Sequence, residues 1–344
     1  MEKTWPPVTI VISNLNGRDL LRECLVSVRN IDYPNYETLV ADAGSKDGSI
    51  EMLQNEFQWV KLVEAKGKGL AESNNVAVAM AKGSLVVVDL NNDDCVERKW
   101  LRILVETYLA RPNLGAVCGK RLRLSNPKII DSMGGRISFL TGDTPVIGSG
   151  QLDSTQVPEE LTADYIPVVL TTKKLYTLVG GCDPDYFIYF EDSDISFQIR
   201  RLGLDIAVAT RARFYHKGSA TVGKSSLRGY YLSRRNGLRF VLKNFPVRYA
   251  LPAICFQVIR MYLRDTLFSI GPVNDALAWW FPSHRTFLLT RKDKRLALAQ
   301  SKAILWNIHN LRGTLSARAR AKSMETSGRR RLRVDSSIMS DPRF

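Results

Sequence analysis

Three acidic residues follow an aromatic run in the segment YFIYFEDSD, which contains Glu191, Asp192 and Asp194. Apolar residues then recur at helical spacing up to Gly203, so the pattern predicts an aromatic strand that leads directly into a helix. Carboxylates at such a junction are partly shielded from water, and a helix N-terminus favours negative charge. We therefore expect Asp192 to act as a general base.

The same residues also suit an ordinary helix start. In that interpretation Ser193 or Asp194 caps the first turn and Glu191 is a solvated acid. A second group of acidic residues far upstream favours the catalytic interpretation, because it follows a different kind of strand.

Composition limits the class of protein and of metal site. The chain has 344 residues, is 45% hydrophobic, and can bury one large core or two modest ones. Its N-terminus does not resemble a signal peptide, and its five scattered cysteines fit a reducing compartment, so we expect a cytoplasmic protein. With only three histidines, a metal should be held mainly by carboxylates, which favours Mg²⁺ or Mn²⁺ over Zn²⁺.

Charge is divided unevenly along the chain. Residues 1–210 hold 22 Lys and Arg against 28 Asp and Glu, a net charge of −6. Residues 211–344 hold 27 against 6, a net charge of +21. The acidic front half suits a metal-dependent site, and the basic rear half suits an anionic partner such as phospholipid headgroups, a polyanionic substrate or nucleic acid.

Strands and helices alternate from the start of the chain. Apolar runs predict strands, and apolar residues at helical spacing predict helices between them. The predicted strands are 8–13, 37–41, 60–63 and 85–90, and the predicted helices are 20–28, 49–55 and 71–81. This order indicates an α/β fold with a mostly parallel sheet flanked by helices.

Polar residues follow three of these strands, at Ser13 to Asn16, at Asp42 to Ser49 and at Asn91 to Asp94. Each cluster also suits an ordinary turn, but ligands of such sheets bind beyond the carboxyl ends of the strands. Asp42 could accept hydrogen bonds from a base edge or a ribose hydroxyl, and Asp93 could hold a divalent ion that bridges a diphosphate. The chain lacks a Walker loop and a G-x-G-x-x-G motif after the first strand, which disfavours P-loop NTPases and dinucleotide dehydrogenases.

Six segments between residue 8 and about residue 246 resemble, in order, the motifs of the family 2 nucleotide-sugar glycosyltransferases, which have the GT-A fold. The resemblance is to the rhamnosyltransferase-like branch in particular. The segments are VTIVISNLNG, VADAGSKDGS, GKGLAESNN, VVVDLNNDD, VGGCDPDYFIYFEDSDISFQIRRLG and ARFYHKGSAT. The fourth resembles the metal-binding Asp-x-Asp region, and the fifth resembles the acceptor-side segment that carries a Glu-Asp pair.

The resemblance implies a role for individual positions. Asp192 would be the base, with Glu191 beside it, and Asp93 would be the direct metal ligand. His216 matches a histidine that completes the metal site in some members, although a structural loop histidine is the alternative. Donor-binding positions would be Ser13, Asn16, Asp42 and Ser45 around the nucleoside, Lys68 and Asn75 near the phosphates or sugar, and Asn91 in the Asp-x-Asp region.

Three positions depart from the family pattern. Asn91 stands in place of the first acid of Asp-x-Asp, which leaves fewer charges for the ion. Cys182 stands where the branch usually has an aromatic residue, and Gln198 where it often has Arg. Metal affinity and acceptor identity are the properties that these departures affect.

The resemblance implies a single displacement that inverts the anomeric configuration, from a nucleotide-diphosphate sugar to a hydroxyl of a glycan or lipid-linked acceptor. Rhamnose is the expected sugar, and cell-surface polysaccharide synthesis the expected process. One alternative is a sugar-nucleotide nucleotidyltransferase, which the late Glu191–Asp192 pair disfavours. A non-enzymatic nucleic-acid-binding protein is disfavoured because the acidic front half would repel a phosphate backbone.

We predict three regions in the chain. Residues 1–246 would form the GT-A domain, with a nucleotide-binding half at about 1–95 and an acceptor half at 96–246. Residues 247–312 would form an amphipathic helical region, and 313–344 a basic flexible tail.

The predicted helical region is too interrupted by charge and proline to span a bilayer. Its aromatic cluster, Trp279, Trp280, Phe281 and Phe287, has basic neighbours and suits the interface of an anionic membrane. We therefore expect a peripheral protein on the cytoplasmic face of the membrane, with a helical appendage packed on the core as the alternative.

Overall fold

A computed structural model of the protein describes residues 4–154, 157–218, 226–270 and 294–334. The chain divides into two compact units. Unit 1 comprises Met1–Gly135, Ile147–Thr221 and Ser323–Phe344, and unit 2 comprises Arg136–Val146 and Val222–Lys322.

Unit 1 begins with four parallel strands and three helices. They are β1 (Val8–Asn14), α1 (Arg18–Arg29), β2 (Tyr36–Asp42), α2 (Ser49–Glu56), β3 (Lys61–Glu64), α3 (Leu70–Met80) and β4 (Leu85–Asn91). β1 pairs in parallel with β2 and β4, and β2 pairs in parallel with β3. The carboxyl ends of these four strands therefore lie at one edge of the sheet.

The remaining strands of unit 1 turn this into a mixed sheet. The further elements are β5 (Asp94–Val96), α4 (Trp100–Ala110), β6 (Leu114–Arg123), β7 (Asn126–Ser132), β8 (Glu160–Thr162), β9 (Val169–Thr172), α5 (Lys173–Leu178), α6 (Glu191–Arg201) and β10 (Asp205–His216). The main strand order is β3-β2-β1-β4-β9-β6-β10-β5, with β7 paired to β6 and β8 to β10. β9 is antiparallel to both β4 and β6, and so joins the two parallel groups.

The central strands are buried on both faces, as their continuous apolar runs require. Ile10 to Ile12 in β1 and Val86 to Val88 in β4 are 0% exposed. Helices such as α1, whose buried residues are Leu21, Cys24, Leu25 and Val28, cover the sheet. The predicted α/β class, a central sheet flanked by helices, is confirmed, but the sheet is mixed rather than mostly parallel, because β5, β7, β8 and β9 pair antiparallel with their neighbours.

The aromatic strand predicted before Glu191 is wrong. Residues Pro184–Tyr186 form a single 3₁₀ turn, and Phe187, Tyr189 and Phe190 then adopt positive φ angles of 65°, 72° and 72°. Aromatic residues favour strands because they fit a pleated, half-buried surface. Left-handed backbone at these three residues cannot provide that surface.

The helix after this loop begins at Glu191, with Phe190 as its N-cap residue, so Ser193 and Asp194 are not its caps. Its predicted end is confirmed, because Gly203 follows the last turn with a φ of 88°.

Unit 2 is mainly helical. Its helices are α7 (Leu227–Asn244), α8 (Val247–Ile270) and α9 (Lys294–His309), and α10 (Leu311–Val334) begins in this unit. None of the described helices combines the length and hydropathy needed to cross a membrane.

The tail that the sequence predicts to be flexible from residue 313 is helical as far as Val334. Alanine, arginine and lysine are strong helix formers, and Ala317 and Ala321 are buried, which favours a packed helix. The predicted interface aromatics Trp279, Trp280, Phe281 and Phe287 lie outside the described residues, as do residues 335–344.

Candidate active site

Two acids and a histidine meet at the carboxyl edge of the sheet. β5 pairs with the end of β10 so that His216 lies opposite Asp94. Asp93, Asp94 and His216 each present one ligand atom, and these atoms lie within 4.8 Å of one another. The structure thus brings together the two predicted metal ligands, Asp93 and His216, and adds Asp94.

His216 is held between two carboxylates. Its Nε2 lies 3.3 Å from Asp93 Oδ2, and its Nδ1 lies 3.2 Å from Asp131 Oδ2. Burial alone would lower the pKa of His216, but hydrogen bonds to Asp131 and Asp93 and the charge of Asp94 raise it to about 9. The ring therefore holds a proton between the two acids at neutral pH, and a metal ion bound at Nε2 would displace that proton.

The acids of this group differ in their protonation. Burial raises the pKa of Asp94 to about 6. Burial would also raise the pKa of Asp93, but the hydrogen bond and charge of His216 and the charge of Arg121 together outweigh it and lower that pKa. Asp94 Oδ1 is buried and has no hydrogen-bond partner. Two carboxylates, one of them with an unsatisfied buried oxygen, and an imidazole are a donor set that fits Mg²⁺ or Mn²⁺.

The predicted base lies in the first turn of α6. Asp192 is partly exposed, and its Oδ1 accepts hydrogen bonds from the backbone N–H of Ser193 at 2.6 Å and from its hydroxyl at 3.1 Å. Burial raises the pKa of Asp192, and the Ser193 hydrogen bonds oppose that rise. Such a group combines access to a ligand with increased basicity.

Glu191 is 6% exposed, and its Oε2 has no hydrogen-bond partner. Burial, together with the charges of Asp192 and Asp89, raises the pKa of Glu191 well above its usual range. Glu191 is therefore neutral where Asp192 ionises, so the pair has one basic member.

Asp89 is a third buried carboxyl that sequence reasoning did not assign to the site. It is 2% exposed, has a φ of 66°, accepts a hydrogen bond from Asn74, and leaves Oδ2 without a partner. Burial and the charge of Asp192 raise its pKa to about 8. The signal in the sequence is that Asp89 is the only charged residue of an otherwise apolar strand.

Arg121, at the end of β6, is the second residue that sequence reasoning missed. Its Nε lies 2.8 Å from Asp131 Oδ2, and its side chain is 18% exposed. Its charge also acts on Asp94 and Asp192. Arg121 thus links the group of Asp93, Asp94 and His216 electrostatically with the predicted base, Asp192. Nothing in its local sequence distinguishes it from a surface arginine.

The loops after β1 and β2 are tied to each other. Asp42 accepts hydrogen bonds from the backbone N–H groups of Gly44 and Ser45, from the Ser45 hydroxyl and from Asn14 Nδ2, at 2.7–2.9 Å. Asn16 donates its backbone N–H to Ser45 Oγ and accepts from the backbone N–H of Lys46. Asp42 therefore fixes the loop conformation with both of its oxygens.

Three further predicted donor-side residues lie in helix α3 or bond to it. The Ser13 hydroxyl donates to Asn74 Oδ1 at 2.9 Å, and Lys68 forms an ion pair with Glu72. Asn75 donates to the carbonyl of Cys182 at 2.7 Å and accepts from the Cys182 N–H at 2.9 Å. Asn75 and Lys68 thus lie where α3 meets the acceptor-side segment.

Strained backbone is concentrated at this edge. Within the described ranges, the non-glycine residues with positive φ are Asn16, Asp89, Phe187, Tyr189 and Phe190. Such conformations cost free energy and persist where the surrounding structure enforces them, often at functional sites. Together with the gathered acids, they mark this edge as the candidate active site.

The first part of the chain is similar to proteins of known activity. Residues 9–142 match the family described as Glycosyl transferase family 2. Chondroitin synthase of Escherichia coli is 26% identical over 119 residues, which cover 34% of this chain and 17% of that protein. Cholesterol galactosyltransferase of Borreliella burgdorferi is 28% identical over 116 residues, which cover 33% of this chain and 32% of that protein. The chain thus spans a third or less of the length of these relatives.

Solved structures share the fold over more of the chain. GalNAc-T7 with UDP, GalNAc and Mn²⁺ has a TM-score of 0.54 at 16% identity, covering 82% of this chain and 55% of its own. A mannosyltransferase from Pyrobaculum calidifontis, in complex with GDP-Man and Mn²⁺, has a TM-score of 0.51 at 17% identity, covering 92% and 90%. The fold is therefore GT-A-like, and residues 9–142 within it match the family described as Glycosyl transferase family 2.

Proposed function

We propose that the protein is an inverting, metal-dependent glycosyltransferase that moves a sugar from a nucleotide-diphosphate sugar to an acceptor hydroxyl. The observation that carries the proposal is one sheet edge that holds both a carboxylate base and an acid–histidine group. The family match at residues 9–142 supports the same reaction class.

Asp192 would accept the proton of the acceptor hydroxyl as that oxygen attacks the anomeric carbon. The Ser193 hydrogen bonds fix its carboxylate, and neutral Glu191 leaves it as the basic member of the pair. A divalent ion held by Asp93, Asp94 and His216 would neutralise charge on the departing nucleoside diphosphate. Direct attack in one displacement inverts the anomeric centre.

The donor would lie along the loops after β1 and β2 and the start of α3. Ser13, Asn16, Asp42 and Ser45 would surround the nucleoside, where Asp42 acts through the loop it shapes. Lys68 and Asn75 would lie near the phosphates or sugar, with Asn91 beside Asp93.

A thermal-shift assay tests donor binding, because a ligand that binds only the folded state raises Tm. The purified protein is titrated with UDP, dTDP and GDP and their sugars, with and without Mn²⁺. We expect one nucleotide to raise Tm in a Mn²⁺-dependent manner, and Asp93→Ala to abolish the dependence. The absence of any nucleotide shift, with a shift on DNA or RNA instead, would contradict the proposal.

Rhamnose, carried by dTDP, is the first donor sugar to test, and a glycan or lipid-linked acceptor of cell-surface polysaccharide synthesis is the proposed substrate. The released product separates this reaction from the alternative. A glycosyltransferase releases a nucleoside diphosphate, whereas a sugar-nucleotide nucleotidyltransferase acting on a nucleoside triphosphate releases pyrophosphate.

We also propose that the protein works on the cytoplasmic face of a membrane as a peripheral protein. The support is the net charge of +21 in residues 211–344, which would attract anionic headgroups. A lipid-linked acceptor would then be concentrated at the surface where the enzyme resides.

A further inference from the structure

The helices of unit 2 have an inverted distribution of polarity. In α8, Gln257 and Arg260 are 5% and 8% exposed, whereas Leu251 and Ile259 are 66% and 57% exposed. In α9, Gln300 and Asn307 are 0% and 5% exposed, whereas Leu298, Leu305 and Ile308 are 55–64% exposed. A helix surrounded by water has the opposite arrangement.

The buried polar side chains fix the rotation of both helices. Gln257 donates to the carbonyl of Gly142 at 2.9 Å, and Arg260 forms a two-pronged ion pair with Asp143. In α9, Asn307 donates to the carbonyl of Arg235 at 2.9 Å, and Gln300 donates to the Tyr230 hydroxyl. Rolling either helix would leave these groups buried without partners, so the apolar side chains stay outside.

The exposed apolar residues form one stripe on each helix. Leu251, Cys255, Ile259 and Tyr262 follow a spacing of three or four residues along α8. Leu298, Leu305 and Ile308 lie at matching spacings along α9. The Tyr262 hydroxyl lies 3.5 Å from Ser301 Oγ, which places the two stripes side by side. We call these seven residues the apolar face.

The surroundings of the apolar face are strongly basic. Residues 226–262 and 295–322 together contain 13 Lys and Arg and neither Asp nor Glu, and all of these basic residues except Arg235, Arg239, Lys243 and Arg260 reach the surface. Two copies of such a surface would repel each other, which disfavours a homodimer through this face. Nucleic acid would be attracted by the charge, but its phosphates offer nothing to a stripe of leucine and isoleucine. A bilayer with anionic headgroups matches both the charge and the apolar stripe.

We propose that the apolar face lies in the headgroup–acyl boundary of an anionic membrane. The proposal identifies the partner and the contacting residues for the membrane location proposed above. It differs from the expectation based on Trp279 and Trp280, because it assigns the anchor to α8 and α9.

Vesicle co-sedimentation tests the proposal. The wild-type protein is compared with the double variants L251Q/I259Q and L305Q/I308Q on vesicles of phosphatidylcholine, alone or with about 30 mol% phosphatidylglycerol. The matched control is V26Q/L152Q in unit 1, whose two residues are 50% and 68% exposed. We expect the wild type and the control to bind the anionic vesicles, and each apolar-face variant to bind at least about tenfold less.

A polarity-sensitive fluorophore on Cys255 reports insertion directly. Cys255 is exposed, and Cys95, the other cysteine that is not buried, is replaced by Ser. We expect a blue shift on anionic vesicles that L305Q/I308Q reduces, although position 305 lies on the other helix. Variant integrity is checked by Tm and by the nucleotide-dependent Tm shift, which should not change.

Several outcomes would overturn the proposal. The first is that the wild-type protein does not bind anionic vesicles. The second is that the apolar-face variants bind like the wild type while W279S/W280S does not. The third is that light scattering shows a wild-type dimer and that the apolar-face variants are monomeric. Binding to RNA that the variants abolish would indicate a nucleic-acid partner instead. Because donor binding is measured separately, failure here is distinguishable from failure of the proposed glycosyltransferase function.

Discussion

Three buried or half-buried carboxyl groups, those of Asp89, Glu191 and Asp192, act on one another's protonation. Like charges close together in a shielded site cannot all ionise, so the least buried member titrates first. That member is Asp192, which also has the Ser193 hydrogen bonds that stabilise its charged form. A single basic oxygen is thus obtained from an acidic cluster.

Replacing Asp192 with Asn should nearly abolish turnover without preventing donor binding. General-base help is worth about 10²–10⁴ in rate, and the substitution preserves size. Initial rates of nucleoside diphosphate release measure the effect, with Asp185→Asn, an exposed acid of the same segment, as the control. Turnover within threefold of wild type in Asp192→Asn would remove Asp192 from its role.

The wild-type pH profile should have an acid limb set by Asp192. Burial raises its pKa, so kcat/KM should begin to fall at a pH above that expected for an ordinary aspartate as the base becomes protonated. The measurement is kcat/KM between pH 4 and 8 at saturating Mn²⁺. A rate that stays flat to the pH of ordinary aspartate titration would contradict this assignment.

Asp89→Asn should stabilise the protein, and increasingly so as pH rises. The pKa of Asp89 is raised to about 8 in the folded state, so its contribution is favourable below its unfolded pKa and is lost between that value and about pH 8. An amide keeps the Asn74 hydrogen bond and cannot ionise. Urea unfolding should give the variant at least about 1 kcal/mol more stability at pH 8 and little difference at pH 4.

At the scale of elements, the acceptor-side loop depends on a close approach to α3. Gly69 is the N-cap residue of α3, and a Cβ there would lie 2.5 Å from the Phe187 ring and 2.6 Å from its carbonyl oxygen. The Ala71 N–H points to the same carbonyl at 3.4 Å. The loop Phe187–Phe190, which leads into Asp192, is therefore positioned against the start of a neighbouring helix.

Gly69→Ala should displace this loop, because backbone atoms of Phe187 have to move. We expect at least a tenfold loss of turnover and a loss of about 1–3 kcal/mol of stability. Gly313→Ala is the control, because a Cβ added there would have no atom within 4 Å. Within a helix, alanine is also favoured over glycine by about 0.5–1 kcal/mol. Wild-type activity in Gly69→Ala would show that the loop does not need this approach.

The sequence predicts the first four strands and three helices to within two residues, because buried parallel strands such as β1 and β4 are continuous apolar runs. The sequence mispredicts the loop before α6, because its aromatic residues have high strand propensity and local sequence does not reveal their positive φ angles. The helix over Leu311–Val334 was missed for a related reason. Its composition resembles a basic tail, and only packing shows that Ala317 and Ala321 are buried.

The candidate metal-binding group, Asp93, Asp94 and His216, was predictable in part from the sequence. Asp93 and His216 follow from the motif order, whereas Asp94 enters through the pairing of β5 with β10. Asp131 and Arg121 have no sequence signal, because their roles arise from strand register alone. Asp89 is recognisable in the sequence as a lone charged residue in an apolar strand. Its connection with the site becomes visible only when the structure places it near Glu191 and Asp192 of α6.

At the scale of the whole molecule, the interiors of the two units are stabilised by different kinds of contact. Unit 1 has an aliphatic core in which residues such as Ile10, Ile12 and Val87 are fully buried. Unit 2 buries Arg239 and Asn236 at 0% exposure, and Arg235 stacks on Trp306 at 4.5 Å. Each buried polar contact contributes less net free energy than an apolar one of the same size.

Hydrogen–deuterium exchange should therefore resolve the two units. We expect amides of α7 and α9 to exchange faster than those of β1 and β4, since local opening follows buried apolar contacts. Mass spectrometry of peptic peptides measures both sets in one sample, so each unit controls for the other. Equal protection in α7 and β1 would indicate a single cooperative core.

The same measurement also tests the proposed membrane contact. Anionic vesicles should slow amide exchange in α9 and leave exchange in β1 unchanged.

The pairing of the short strand β5 offers a way to measure the fraction of molecules that are correctly folded. Its pairing with β10 sets His216 opposite Asp94, and side chains alternate between the two faces along a strand. A slip of β5 by one residue would move Asp94 out of its position opposite His216 while leaving most of the sheet intact. If Asp93, Asp94 and His216 bind Mn²⁺ as proposed, the number of Mn²⁺ ions bound per molecule would measure the fraction of a preparation in which β5 and β10 are paired in the correct register.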